Sequence, residues 1–116
     1  MIEFFDRKGQ PAAYCHDGRS LYLWDGRAVA ILEDDAVFDY AGRHIGWLDD
    51  GWIRDAEGKC LLYESDAIRG PAKPVRGVKT SPGARGPRPT RGTMQAAPPR
   101  PARSEAWSER TFLDLI

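Results

Sequence analysis

Cys15, His16, His44 and Cys60 are the residues of this chain whose types would suit a metal, since two thiols and two imidazoles number the four ligands of a structural zinc. Their spacing argues against it. Adjacent residues on a strand point to opposite faces, and no pair of ligands is separated by the two residues typical of zinc sites. The two cysteines are too few for a disulfide scaffold and read as small buried hydrophobes. Asp6, Asp39 and Asp55 form a second series, each three residues before a glycine, with Leu23 in the corresponding place of the remaining copy. Aspartates at that offset support turns by accepting backbone hydrogen bonds, which makes them poor acid–base candidates. No serine or cysteine sits in a nucleophile elbow, and no phosphate-cradling glycine loop opens a helix. The expectation is a protein that is not an enzyme and carries neither metal nor cofactor.

The elements that would position these residues follow from a repeat. Gly9, Gly26, Gly42 and Gly58 recur at intervals of 17, 16 and 16 residues. Five residues before them stand Phe4, Leu21, Val37 and Ile53; three residues after stand Ala12, Val29, Ile45 and Leu61. A repeat so short cannot bury its own apolar face, so four copies must share one core. The period-two apolar spacing and frequent glycines exclude long helices and predict four antiparallel hairpins, with Asp25-Gly26 as a tight two-residue turn and longer turns in the other copies. On the returning strands, Ala12 with Tyr14, Val29 with Ile31, Ile45 with Trp47 and Leu61 with Tyr63 are expected to share one face. The residues between them, Ala13, Ala30, Gly46 and Leu62, face the other way. Three of those four are small, which predicts close approach around a central axis.

Charge and composition divide the chain into residues 1–68, 69–103 and 104–116. The first segment has seven Lys or Arg against fourteen Asp or Glu, and the second has nine Lys or Arg and no acid. The zero formal net charge is therefore a sum of separated opposites. Hairpin tips hold Lys8, Arg27, Arg43 and Lys59. The connections hold Asp17, Glu33, Asp34, Asp35, Asp49, Asp50, Glu64 and Asp66 with Arg19, which predicts one acidic rim, either solvent-facing, a cation site or a landing surface for the basic segment. No apolar run is long enough to span a bilayer and no leader is evident at the N-terminus, so the cytoplasm is the expected location.

The stretches IEFFDRKGQPAAY, YLWDGRAVAIL, YAGRHIGWLDDGWIRDAEGKCLLY and GPAKP resemble the four-fold beta-flower proteins, small bacterial domains with four hairpin petals around a pseudo-four-fold axis. The likeness runs from Ile2 to about Pro74 and extends to a Pro- and Lys/Arg-rich strap and an ending with Trp-Ser and Phe, here AWSERTFLDLI. It implies an all-β fold and no particular activity. The strap is looser and richer in Gly, Ala and Arg than the regular Lys-Pro tails of that family.

Residues 69–103 cannot offset the entropy of folding by burying apolar surface, so a disordered, partly polyproline-II strap is expected. Its spaced cations would allow weak contact with a polyanion, nucleic acid or an anionic membrane. Beyond it, Ser104 or Ser108 would cap a short helix whose apolar face carries Trp107, Phe112, Leu115 and Ile116. Such residues after a polar tether suit a docking peptide, for another protein in trans or for the petals in cis. The function expected is a non-catalytic binding or adaptor module. The alternatives are a carrier enclosing an apolar small molecule or lipid chain along the axis, and a charge-driven binder of nucleic acid or anionic membrane.

Overall fold

In the computed structural model, which describes residues 1–77 and 79–116, the repeat becomes eight strands closed into one antiparallel barrel. In chain order they are β1 Ile2–Phe5, β2 Pro11–Cys15, β3 Ser20–Leu23, β4 Ala28–Glu33, β5 Ala36–Asp39, β6 His44–Asp49, β7 Trp52–Arg54 and β8 Cys60–Tyr63. Each strand pairs with its neighbours in sequence, and Phe5 opposite Tyr63 closes β1 onto β8.

All four tips are built alike. The turn glycines have positive φ (78°, 99°, 96° and 87°), a conformation in which a side chain is strained. Each donates its N–H three residues back, to the carbonyl of Asp6, Leu23, Asp39 or Asp55. The aspartates act as expected: Asp6 Oδ1 accepts from Lys8 and Gln10, Asp39 Oδ1 from Arg43, and Asp55 Oδ1 from Glu57 and Lys59. Where Leu23 interrupts the series, Asp25 serves instead and accepts from Arg27. The Asp25-Gly26 tip is not a shorter turn than the rest. Leu23 N bonds Arg27 O just as Asp6 bonds Gln10, Asp39 bonds Arg43 and Asp55 bonds Lys59, so the backbone span is common to all copies. The tight turns lie at the connections, at Asp34-Asp35 and at Asp50-Gly51, where Asp34, Asp50 and Gly51 have positive φ.

The register also corrects the expected sharing of faces. Phe4 pairs with Ala13 but Phe5 with Pro11, and the same one-residue slip recurs at Leu21/Tyr22, Val37/Phe38 and Ile53/Arg54. The residue left over in each case is Ala12, Val29, Ile45 or Leu61, a β-bulge at the same place in every repeat. The bulge turns these four toward the barrel core, together with Ala13, Ala30 and Leu62 beside them. Tyr14, Ile31, Trp47 and Tyr63 remain outside, in three satellite clusters.

The centre is therefore crowded. Phe4, Ala13, Leu21, Ala30 and Val37 have no exposed surface, and Ile53 and Leu62 retain 1%. Large residues on the outgoing strands face Ala13, Ala30 and Gly46 on three of the returning ones. A Cβ on Gly46 would collide with the Arg54 carbonyl, which gives the close approach its physical form.

The described residues of 69–103 contain neither helix nor strand, yet they lie on the barrel. The N–H groups of Gly77, Gly86, Gln95 and Ser104 donate to the carbonyls of Gly9, Gly26, Gly42 and Gly58 in turn, at 2.9, 2.8, 2.8 and 3.2 Å. The strap thus advances nine residues for each petal. The carbonyls of Val75, Ala84, Thr93 and Ala102 pass directly over the turn glycines, where a Cβ would meet them. Composition predicts disorder because it counts apolar burial; the contacts the strap makes with the barrel are backbone hydrogen bonds and ion pairs.

Candidate functional site

The predicted residues gather at two places, the outer rim gripped by the strap and the mouth of the barrel under the C-terminal segment. Lys79 pairs with Glu3 at 2.9 Å, Arg91 with Glu33 at 2.9 Å and Arg100 with Asp35 at 2.8 Å. Arg103 pairs with Asp49 at 2.6 Å and Asp50 at 3.5 Å. Of the readings open for the acidic rim, the landing surface for the chain's own cations is the arrangement seen. Exposed pairs of this kind are individually worth at most about 1 kcal/mol, so their value lies in register.

Arg54 is the residue that sequence reasoning missed. It is 2% exposed, and its guanidinium donates to Gly58 O at 2.8 Å, to Arg69 O at 2.8 Å and to Ser104 O. Its Nε lies 3.6 Å from the Asp49 carboxylate. One buried cation therefore holds the first residue of the strap and the residue that follows its last. The available signal was its position in an apolar series: it is the repeat equivalent of Phe5, Tyr22 and Phe38, at the outer face of the bulge.

The C-terminal segment docks on its own barrel. Cys60 N–H donates to Ala106 O at 3.0 Å and Ser108 N–H to Cys60 O at 2.8 Å, a short parallel bridge along β8. Trp107 packs edge-on against Trp52 and Tyr63, with ring centroids 5.5 and 6.1 Å away. The Ser108 hydroxyl donates to buried Asp55 at 2.7 Å. A single helical turn, α1 Phe112–Leu115, follows; its cap is Thr111, whose N–H is accepted by Asp114 Oδ2 at 2.8 Å. Ser104 and Ser108 do not cap it, because each accepts an N–H two residues ahead in a turn of its own. Phe112 is 4% exposed and joins the barrel core, with Leu115 and Ile116 packed beside it. Trp107 stands apart, in the outer cluster, so the four apolar residues do not share one helical face.

Between the tail and the mouth remains a cavity of about 630 Å³. Pro11, Ala12, Leu23, Leu61, Leu62 and Phe112 supply its apolar surface. Arg7, Lys8, Arg27 and Arg110 stand around it with Asp6, Asp25 and Glu109, and each aspartate already spends one oxygen on its turn.

Cys15 and Cys60 are buried free thiols; burial raises both, Cys60 to about 11, so neither is a ready thiolate. His16 is exposed, whereas His44 is half-buried between the rings of Phe38 and Trp47, and desolvation lowers its pKa. Among the described residues no three His, Cys, Asp or Glu side chains are grouped to hold a metal ion. Among them, too, no helix is long and apolar enough to cross a membrane.

A closed barrel of four bulged hairpins, belted by its own strap, defines a class of small pseudo-four-fold petal domains. The chain belongs to the family described as 4-fold beta flower protein, whose family model matches residues 2–116 and so includes the strap and tail. No curated protein and no solved structure matches the chain.

Proposed function

We propose that the chain is a non-catalytic binding module whose ligand seat is the tip-side mouth of the barrel, with the C-terminal segment as its cover. The observation that carries this reading is the 630 Å³ cavity between the mouth and the tail. Its size falls in the range of small-molecule sites, and its apolar floor with a few polar groups at the edge is their usual composition. The ligand is an apolar small molecule or lipid chain, as the carrier reading holds, but seated at the mouth. The axis is an unsuitable place for it, because Phe4, Leu21, Val37, Ile53 and Leu62 fill it.

The adaptor reading, with the tail docking in trans, requires Phe112 to leave a buried position and Trp107 a partly buried one on their own barrel. The polyanion reading requires the strap to exchange its carboxylate partners for phosphates. The mouth needs neither. Two free thiols suit a reducing compartment, which supports a cytoplasmic setting.

Native mass spectrometry of the protein purified from cells, followed by titration with decanoate and dodecanoate, tests the reading. Trp24 and Trp107 line the cavity and serve as fluorescence reporters. The expected result is saturable quenching that tightens about fourfold per added methylene, the factor corresponding to about 0.8 kcal/mol per buried CH₂. A bare polypeptide mass together with no saturable response to either chain length would overturn it.

A further inference from the structure

A second cavity, of about 240 Å³, lies on the outside of the second petal where the strap crosses it. Its walls are Arg19 at the β2–β3 connection, Ser20 at the start of β3, Ile31 of β4, Tyr40 just after β5, and Arg88, Pro89 and Arg91 of the strap. Three arginines thus line one space together with Ser20 and Tyr40.

The carboxylates at hand do not saturate them. Glu33 is shared by Arg19 at 3.3 Å and Arg91 at 2.9 Å. Asp17 is 3.8 Å from Arg88, beyond hydrogen-bond distance. Its Oδ1 is already engaged by the backbone N–H groups of Ser20 and Arg19, and hydrogen bonding from Ser20 holds its pKa low. Three fixed positive charges with five donors apiece therefore face two carboxylates.

Tyr40 supplies an independent sign. The residue is 9% exposed, and its buried hydroxyl has no group within hydrogen-bond distance, with the Ser20 hydroxyl as its polar neighbour just beyond it. Ser20 beside it directs its own hydroxyl to Asp17 Oδ2 at 3.3 Å. A buried hydroxyl without a close partner is a donor that an acceptor oxygen reaching it would satisfy. Burial keeps the phenol protonated, as donation requires.

We propose that this cavity binds a tetrahedral oxyanion, phosphate or the phosphate group of a small monoester, clamped by Arg19, Arg88 and Arg91 with the Tyr40 hydroxyl donating from below. Planar guanidiniums match phosphate oxygens in paired hydrogen bonds, which a single carboxylate shared between two arginines does not exploit. Two of the clamping residues belong to the strap and two to the barrel, so the anion fastens one to the other. Binding to the belted state stabilises it by mass action.

The test is thermal unfolding of the full chain in increasing inorganic phosphate, with potassium chloride at matched ionic strength as control, and isothermal titration with phosphate and with glycerol 3-phosphate. The expected result is a saturable rise in midpoint with phosphate and none with chloride. Tyr40→Phe should weaken phosphate about tenfold, the loss corresponding to one hydrogen bond to a charged acceptor, while moving the unliganded midpoint little, since its hydroxyl has only the more distant Ser20 hydroxyl to lose. Arg88→Gln with Arg91→Gln should abolish the phosphate effect. Tighter binding of glycerol 3-phosphate than of phosphate assigns the site to a monoester, and the reverse assigns it to the free ion. A midpoint that follows ionic strength identically in both salts, or a Tyr40→Phe variant with unchanged phosphate affinity, would overturn the proposal. Neither outcome bears on the mouth, which shares no lining residue with this cavity.

Discussion

Replacing Arg54 with methionine separates a belt that is part of the fold from one that merely lies against it. Methionine keeps the apolar stem and removes three donors, those reaching Gly58 O, Arg69 O and Ser104 O, together with the charge 3.6 Å from Asp49. Breaking a buried pair by deleting one partner costs about 3–5 kcal/mol, because the remaining charge is left uncompensated. Asp49 keeps Arg103 at 2.6 Å and Arg100 at 3.9 Å, so the lower end applies. The carbonyls of Arg69, at the start of the strap, and Ser104, just past its end, regain water if these ends lift. The loss therefore divides between strap release and barrel stability, and the total is about 3 kcal/mol. For a domain of this size that lowers the thermal midpoint by on the order of 10 °C. Circular dichroism gives the midpoint, and hydrogen-exchange mass spectrometry reads the strap. The amides of Gly77, Gly86, Gln95 and Ser104 should exchange faster in Arg54→Met while those of β3 and β4 stay protected. Arg103→Met, which removes pairs made by an exposed guanidinium and leaves Asp49 beside Arg54, should lower the midpoint by much less than Arg54→Met does. A methionine variant with the parental midpoint and unchanged strap exchange would refute the reasoning.

Gly46→Leu should cost about 1–3 kcal/mol through overpacking against Arg54 O, and an unchanged urea midpoint would count against the crowded axis. Trp107→Ala with Phe112→Ala should lower the stability of the chain by at least about 3 kcal/mol, because both side chains pack on its own barrel; retention of the parental midpoint would instead favour docking in trans. His44 predicts a pH effect. Its folded-state pKa lies below the ordinary 6.5, so the unfolded chain takes up the proton first and stability falls as pH drops through that value. The thermal midpoint should decline from pH 7 to pH 5 by more in the parent than in His44→Phe, and equal declines would exclude the histidine as the source.

The petals were legible because their information is carried by residue type at fixed intervals. Only glycine suits the positive φ at Gly9, Gly26, Gly42 and Gly58, and the aspartates at Asp6, Asp39 and Asp55 bond the turns they precede. Small residues at Ala13 and Ala30 marked the crowded centre for the same reason. The bulge was not legible, because Ala12, Val29, Ile45 and Leu61 are as apolar as residues on either face; only the one-residue slip in pairing turns them inward. The nine-residue step of the strap was hidden differently. Gly77, Gly86, Gln95 and Ser104 have little in common beyond a backbone N–H, and that is the group the barrel uses. A compositional argument weighing apolar burial against entropy does not register a segment held through its main chain. The mouth cavity exists only once the tail folds back, and nothing local to Phe112 announces on which barrel it rests.

The mouth is tested most directly by recording amide shifts of the isotopically labelled full chain during titration with dodecanoate. The result expected is saturable movement of the amides of Ala12, Leu23, Leu61 and Phe112, which surround the 630 Å³ cavity, with those of Ala36 and Val37 on the third petal unmoved. Shifts spread evenly over the barrel, or none at saturating dodecanoate, would contradict a ligand seat at the mouth.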